Sequence, residues 1–222
     1  YPGEQVHSII RDMTEYDAFS VKYFENHLAT KPDDLIVRRA LARVYLKMQD
    51  IEKLERILPP LVSAQDEVMR REAQFFELFV FLNHVQPQYV NAPELLHKEL
   101  EQKIRAIGPL QQMVSAYQLI EFGDQAVIRE KLIMAVQLYL LAMEAAADSQ
   151  QKRQAFLKAV DAMQQTGDAR VAFRLAEYYA GAIPMDRQTA WYLMNLARKA
   201  EQIGAARKYA VLLLRMETNA SY

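Results

Sequence analysis

The feature that most constrains this chain is a spacing. In 166-TGDARVAFRLAEYYAGAIP-184, Ala172, Ala176, Ala180 and Pro184 fall four residues apart behind a Gly-Asp pair. An α-helix turns once in about 3.6 residues, so that interval keeps them on one slowly drifting face. A face of alanines lets a second helix come close. Gly167 suits the end of the preceding apolar stretch 155-AFLKAVDAMQQ-165, Asp168 suits the cap of the next helix, and Pro184 stops it. The spacing predicts a helical hairpin with Ala172 and Ala176 buried at its contact.

The interval recurs. In 15-EYDAFSVKYFENHLATKPDD-34, Ser20, Phe24, Leu28 and Pro32 hold the same relative places. A step of 34 residues from that set reaches Leu54, Leu58 and Val62, with Leu41, Ala42 and Tyr45 on the helix before them. The same step from the alanine set reaches Ala206, Ala210 and Leu214, after 189-TAWYLMNLARKAEQ-202. A fixed period of this length marks an array whose units bury their apolar faces only against neighbours.

This pattern resembles the tetratricopeptide repeat, a 34-residue helix-turn-helix with small or aromatic residues at set places and a late proline. The resemblance implies an all-α fold: a right-handed superhelical array of antiparallel helix pairs, an α-solenoid. Residues 1–222 are read as one fragment of such an array, with units 1–34, 35–68, 153–186 and 187–220 and an irregular stretch 69–152. The interval from Leu54 to Ala172 is not a whole number of periods, so material has been added in the middle. The expected sites are 86-QPQYVNAP-93, whose prolines interrupt helices, and a long helical run from about Val127 to Ala147. An incomplete unit is read around 110-LQQMVSAYQLIEFGDQAVI-128, with Gly123-Asp124 as its turn. The segment 72-EAQFFELFVFLNH-84 is apolar almost all round and must be covered on several faces. Burial between repeat layers is its expected use, and an interface made by Phe75, Phe76, Phe79 and Phe81 is the alternative.

Several function classes find no support. A formal net charge of -1 lacks the basic footprint of a nucleic-acid binder. The apolar runs 75-FFELFVFL-82 and 132-LIMAVQLYLLAMEAAA-147 are shorter than the ~20 residues that span a bilayer, so no membrane insertion is expected. There is no cysteine, hence no thiolate chemistry. Six isolated glycines assemble no phosphate-binding loop, and His7, His27, His84 and His97 form no HExxH motif and no histidine pair one turn apart. Acids such as Glu72 and Glu77, or Glu99 and Glu101, pair as charged helix faces commonly do. The expectation is a non-enzyme that needs no cofactor. With YPGEQ at its start and METNASY at its end, the chain is read as a piece of a longer protein.

What remains is surface. In a tetratricopeptide array the first helices of successive units line a groove, and the resemblance implies which residues face a ligand. In the second unit these are Ile36, Arg39, Arg43, Leu46 and Lys47; in the last, Gln188, Trp191, Asn195, Arg198 and Lys199. Gln5, Ile9 and Ala40 stand where a clamp for acidic chaperone tails needs lysine or asparagine, which argues against that ligand. The alanine-rich pairs 155–184 and 189–216 are further similar to periplasmic repeat regions of outer-membrane exopolysaccharide exporters of the Pel type. That resemblance implies a periplasmic scaffold that recruits a polysaccharide-modifying enzyme and guides exopolysaccharide to the pore, and it leaves room for a homo-oligomer. A cytoplasmic assembly scaffold is the alternative compartment. Direct carbohydrate binding, with Trp191 stacking on a sugar beside Asn195 or Gln188, is the rival from another class.

Overall fold

The computed structural model describes residues 18–84 and 89–219, and these are all-α, with no strand among them. Residues 1–17, with Gln5, His7 and Ile9, lie outside the described residues. Contacts gather the described residues into two compact units, 18–84 with 103–107 and 89–102 with 108–219.

The first unit runs through α1 (Ala18–Thr30), α2 (Leu35–Lys47), α3 (Ile51–Ile57), α4 (Pro59–Val62) and α5 (Glu67–Asn83). Three aspartates set its starts: Asp34, Asp50 and Asp66 each accept the amide of the third helical residue, from Val37, Lys53 and Met69. Pro59 and Pro60 break what would have been one second helix into α3 and α4. Phe24, Leu41, Leu54, Leu61 and Phe79 are its fully buried large side chains. Ser20, expected on the stripe of α1, is buried as well.

Helix α6 (Pro93–Ile107) belongs to the second unit up to Gln102 and to the first from Lys103. The second unit continues through α7 (Leu110–Met113), α8 (Ala116–Ile128), α9 (Leu132–Ala145), α10 (Ser149–Gln165), α11 (Ala169–Tyr179), α12 (Arg187–Lys199) and α13 (Ile203–Asn219). Consecutive helices from α8 to α13 pack on one another.

The hairpin read from the alanine spacing is present. Gly167 takes a left-handed φ of 92° after α10, Asp168 caps α11 through Arg170 and Val171, and Ala172 and Ala176 are completely buried. After α11 a single 3-10 turn, Ala180–Ala182, leads to the extended Ile183 that precedes Pro184.

The middle differs from the sequence reading in two respects. The run from Val127 to Ala147 is not one helix: Glu130 takes a φ of 59° and splits it into α8 and α9. The amide of Lys131 then reaches back to the Ala126 carbonyl at 2.9 Å, the closure that Asp50 makes to Tyr45 and Gln202 to Ala197. Three non-glycine residues, Gln49, Glu130 and Glu201, therefore turn three hairpins in one way. Gly123-Asp124, expected as a turn, lies inside α8. A Cβ on Gly123 would sit 2.4 Å from Cε1 of Tyr139, so this glycine exists for close approach and not for bending. The Tyr139 hydroxyl donates to Asp124 at 2.6 Å, which accounts for both members of the pair. Every residue of α9 from Met134 to Met143 is buried, because α8 and α10 cover it from two sides.

Candidate functional site

The ten residues expected in a partner groove divide evenly between the two units, and one of them, Leu46, is buried in the core instead of facing a groove. In the first, Arg39, Arg43 and Lys47 lie on α2. Arg39 and Arg43 both send Nε to Glu72 of α5, Arg39 to Oε2 and Arg43 to Oε1, the latter at 2.6 Å. Both oxygens of one carboxylate are thus engaged by charged donors, the strong kind of hydrogen bond. By sequence alone Glu72 is one acid of a charged helix face and the arginines are expected ligand contacts. Folding makes them one ion-paired set, with Lys47 exposed at the helix end.

In the second unit four of the five expected residues lie together, while the fifth, Gln188, accepts from Arg153 at 3.2 Å. Trp191, Asn195, Arg198 and Lys199 line a half-open cavity of about 640 Å³ together with Asp161 and Gln164 of α10. Its base is a fixed polar chain: Gln164 Nε2 donates to the Tyr192 hydroxyl at 3.1 Å, and that hydroxyl donates to Asp161 at 2.6 Å. Burial pushes the Tyr192 phenol well above its ordinary pKa, and its bond to Asp161 adds to the shift. It stays a neutral donor at any physiological pH. Asn195 is held by its own helix, Nδ2 to the Trp191 carbonyl at 3.0 Å. Trp191 itself is 59% exposed, a large apolar surface beside two exposed cations.

Helix α12 is placed firmly for this. Asp186 caps it by accepting the Thr189 amide at 2.8 Å. That bond, with the neighbouring Arg153, holds the Asp186 carboxyl below the usual carboxylate range against the opposing effect of burial. On the inner side Ala190, Leu193, Leu196 and Ala197 are buried, which turns Trp191, Arg198 and Lys199 outward.

The phenylalanine-rich segment is put to the other use expected of it. Phe75, Phe76 and Phe79 are buried, with Phe75 and Phe79 edge to face at 5.5 Å, which removes those rings from any docking surface. Phe81 is half-buried, with Nζ of Lys103 4.7 Å from its ring centre, and lines a separate cavity of about 610 Å³ in the first unit.

One cluster escaped the sequence reading. His97, only 3% exposed, meets Glu144 at 2.6 Å and Glu101 at 3.7 Å in the second unit. A search for histidine pairs passes over it; the signal within reach was a histidine and a glutamate one helical turn apart, His97 and Glu101.

The chain matches no protein-family model, no curated protein and no solved structure.

Proposed function

We propose that this chain is a non-catalytic helical-repeat module that captures another protein through the Trp191 cavity. The observation that carries this reading is the convergence of Trp191, Asn195, Arg198 and Lys199, expected on one first-helix face, around one open cavity. A rigid aromatic next to a positive rim suits a partner segment with an apolar anchor and flanking carboxylates. The successive packing of α8 to α13 is what a right-handed tetratricopeptide-like superhelix needs, and such an array offers a long surface without a reactive pocket.

The more specific reading follows from the Pel-type resemblance. The captured protein is then a periplasmic polysaccharide-modifying enzyme, and the module is a part of an outer-membrane exporter that also guides exopolysaccharide. No helix among the described residues is long and apolar enough to cross a membrane, consistent with that role for this stretch.

The test is capture from a native envelope extract by the parent chain and by Trp191→Ala, followed by titration of the captured protein against both. The expected result is a partner held by the parent and lost by the variant at equal folding. Equal capture overturns the cavity reading. Binding of a purified exopolysaccharide fragment that depends on Trp191, with no protein captured, replaces it by direct carbohydrate binding.

A further inference from the structure

We propose that His97, Glu101 and Glu144 form a binding site for a first-row divalent cation of the zinc class, a property separate from partner capture. His97 and Glu101 stand one turn apart on α6, and Glu144 comes from the last turn of α9. One nitrogen and two carboxylate oxygens lie within 4.8 Å of one another.

The orientation of the imidazole carries the argument. Gln137 is fully buried in the middle of the apolar helix α9, and its Nε2 donates to the Pro93 carbonyl at 2.9 Å. Its Oε1 is therefore the atom that meets Nδ1 of His97, at 3.2 Å, and an amide oxygen only accepts. Nδ1 therefore carries a proton. Nε2 is left to face the two carboxylates, 2.6 Å from Glu144 and 3.7 Å from Glu101. Histidine ligands are generally held in this way, one ring nitrogen anchored by an outer hydrogen bond while the other binds the ion. The anchor here is a polar side chain placed inside an otherwise apolar helix.

The remaining geometry agrees. Bonds of ~2.1 Å in a tetrahedral site separate ligand atoms by about 3.4 Å, so an ion is admitted when the 2.6 Å contact of Nε2 with Glu144 opens and Glu101 draws in from 3.7 Å, with movements of about 1 Å or less. Glu101 and Glu144 are partly exposed, at 33% and 36% of their side chains, which gives them room to adjust and gives the ion a path in. The Tyr179 ring packs nearly perpendicular to the imidazole, with the ring centres 5.7 Å apart. One imidazole with two carboxylates favours zinc and its first-row neighbours over calcium, which takes six to eight oxygens.

The experiment is a calorimetric titration of Zn²⁺ into the metal-free full chain at neutral pH, with Glu101→Gln, Glu144→Gln and Glu55→Gln alongside. The expected result is one equivalent bound by the parent, weakened at least tenfold in each of the first two variants. Glu55→Gln removes only the carboxylate beside the exposed His84 and leaves the affinity unchanged. Nitrogen-15 spectra of the parent's histidine rings should show zinc displacing any proton from Nε2 of His97 while Nδ1 keeps its own, a readout that holds even if a variant misfolds. No zinc uptake, equal uptake by parent and both site variants, or a His97 ring doubly protonated in the presence of zinc overturns the proposal. The last of these makes the cluster an imidazolium ion pair.

Discussion

Helices α2 and α12 fall at matching places in the 34-residue reading, and both carry cations outward, yet they end in different states. On α2, Arg39 and Arg43 close on Glu72 from α5. On α12, Trp191 and Asn195 hold the corresponding places, and the acid lining their cavity, Asp161 of the preceding α10, accepts from the Tyr192 hydroxyl. The cavity beside Arg198 and Lys199 stays open. A place in a repeat therefore does not decide whether a residue binds a ligand or its own protein. On α2 the acid that α5 presents decides it.

The sharpest way to break this contrast is to remove the aromatic. Trp191→Ala is expected to weaken partner binding by at least about 2 kcal/mol, roughly thirtyfold, with stability unchanged, since the ring is largely outside the core. Arg39→Ala, measured in the same titration, is expected to leave binding alone. An opposite result would mean that the ion-paired face is the docking face.

A smaller effect belongs to the first unit. Glu72→Ala should lower unfolding free energy by about 1–2 kcal/mol in urea melts, because two arginines lose their shared acceptor. The double variant Arg39→Ala/Glu72→Ala should cost less than the two single losses added together. Strict additivity would show that the pairing contributes nothing.

Asp186→Ala should cost about 1 kcal/mol at neutral pH through loss of the α12 cap. The folded carboxyl lies below its ordinary range, so this stabilisation is present above the unfolded value near 4 and is lost as pH falls through the folded one. Melts at neutral and at strongly acid pH should therefore show the difference between parent and variant shrinking. Asp186→Asn keeps an acceptor and should remove most of the pH dependence with less of the stability.

The smallest effects are expected at the rim. Arg198→Ala and Lys199→Ala should each change stability by less than about 0.5 kcal/mol, and should slow association and flatten its salt dependence. Rates that are unaffected at low salt would take both cations out of the partner's approach.

The hairpin α10/α11 was legible because each of its signals is local. Gly167, Asp168 and the alanine interval act within a turn or two of themselves, and the structure places Gly167, Asp168, Ala172 and Ala176 as read, while α11 ends at Tyr179, before Pro184 is reached. The α8/α9 hairpin was misread for the complementary reason. Its turn is made by Glu130, a residue with no intrinsic preference for a positive φ, and its glycine answers to a ring sixteen positions away. At the candidate site, Trp191, Asn195, Arg198 and Lys199, which the spacing puts on one helix face, line one cavity. The contributions of Asp161 and Gln164 come from the preceding first helix and became visible only on packing.

Sequence alone determined the helical class and the capped ends, because hydrogen bonds within a helix and at its caps join residues a few positions apart. Only the tertiary structure decided that Glu72 would bind Arg39 and Arg43, that Gln137 would fix the His97 ring, and that Glu144 would meet it. Those partners are separated by 29 to 47 positions. Periodicity states which face of a helix turns inward, and the charge a neighbouring helix brings to that face is set by packing.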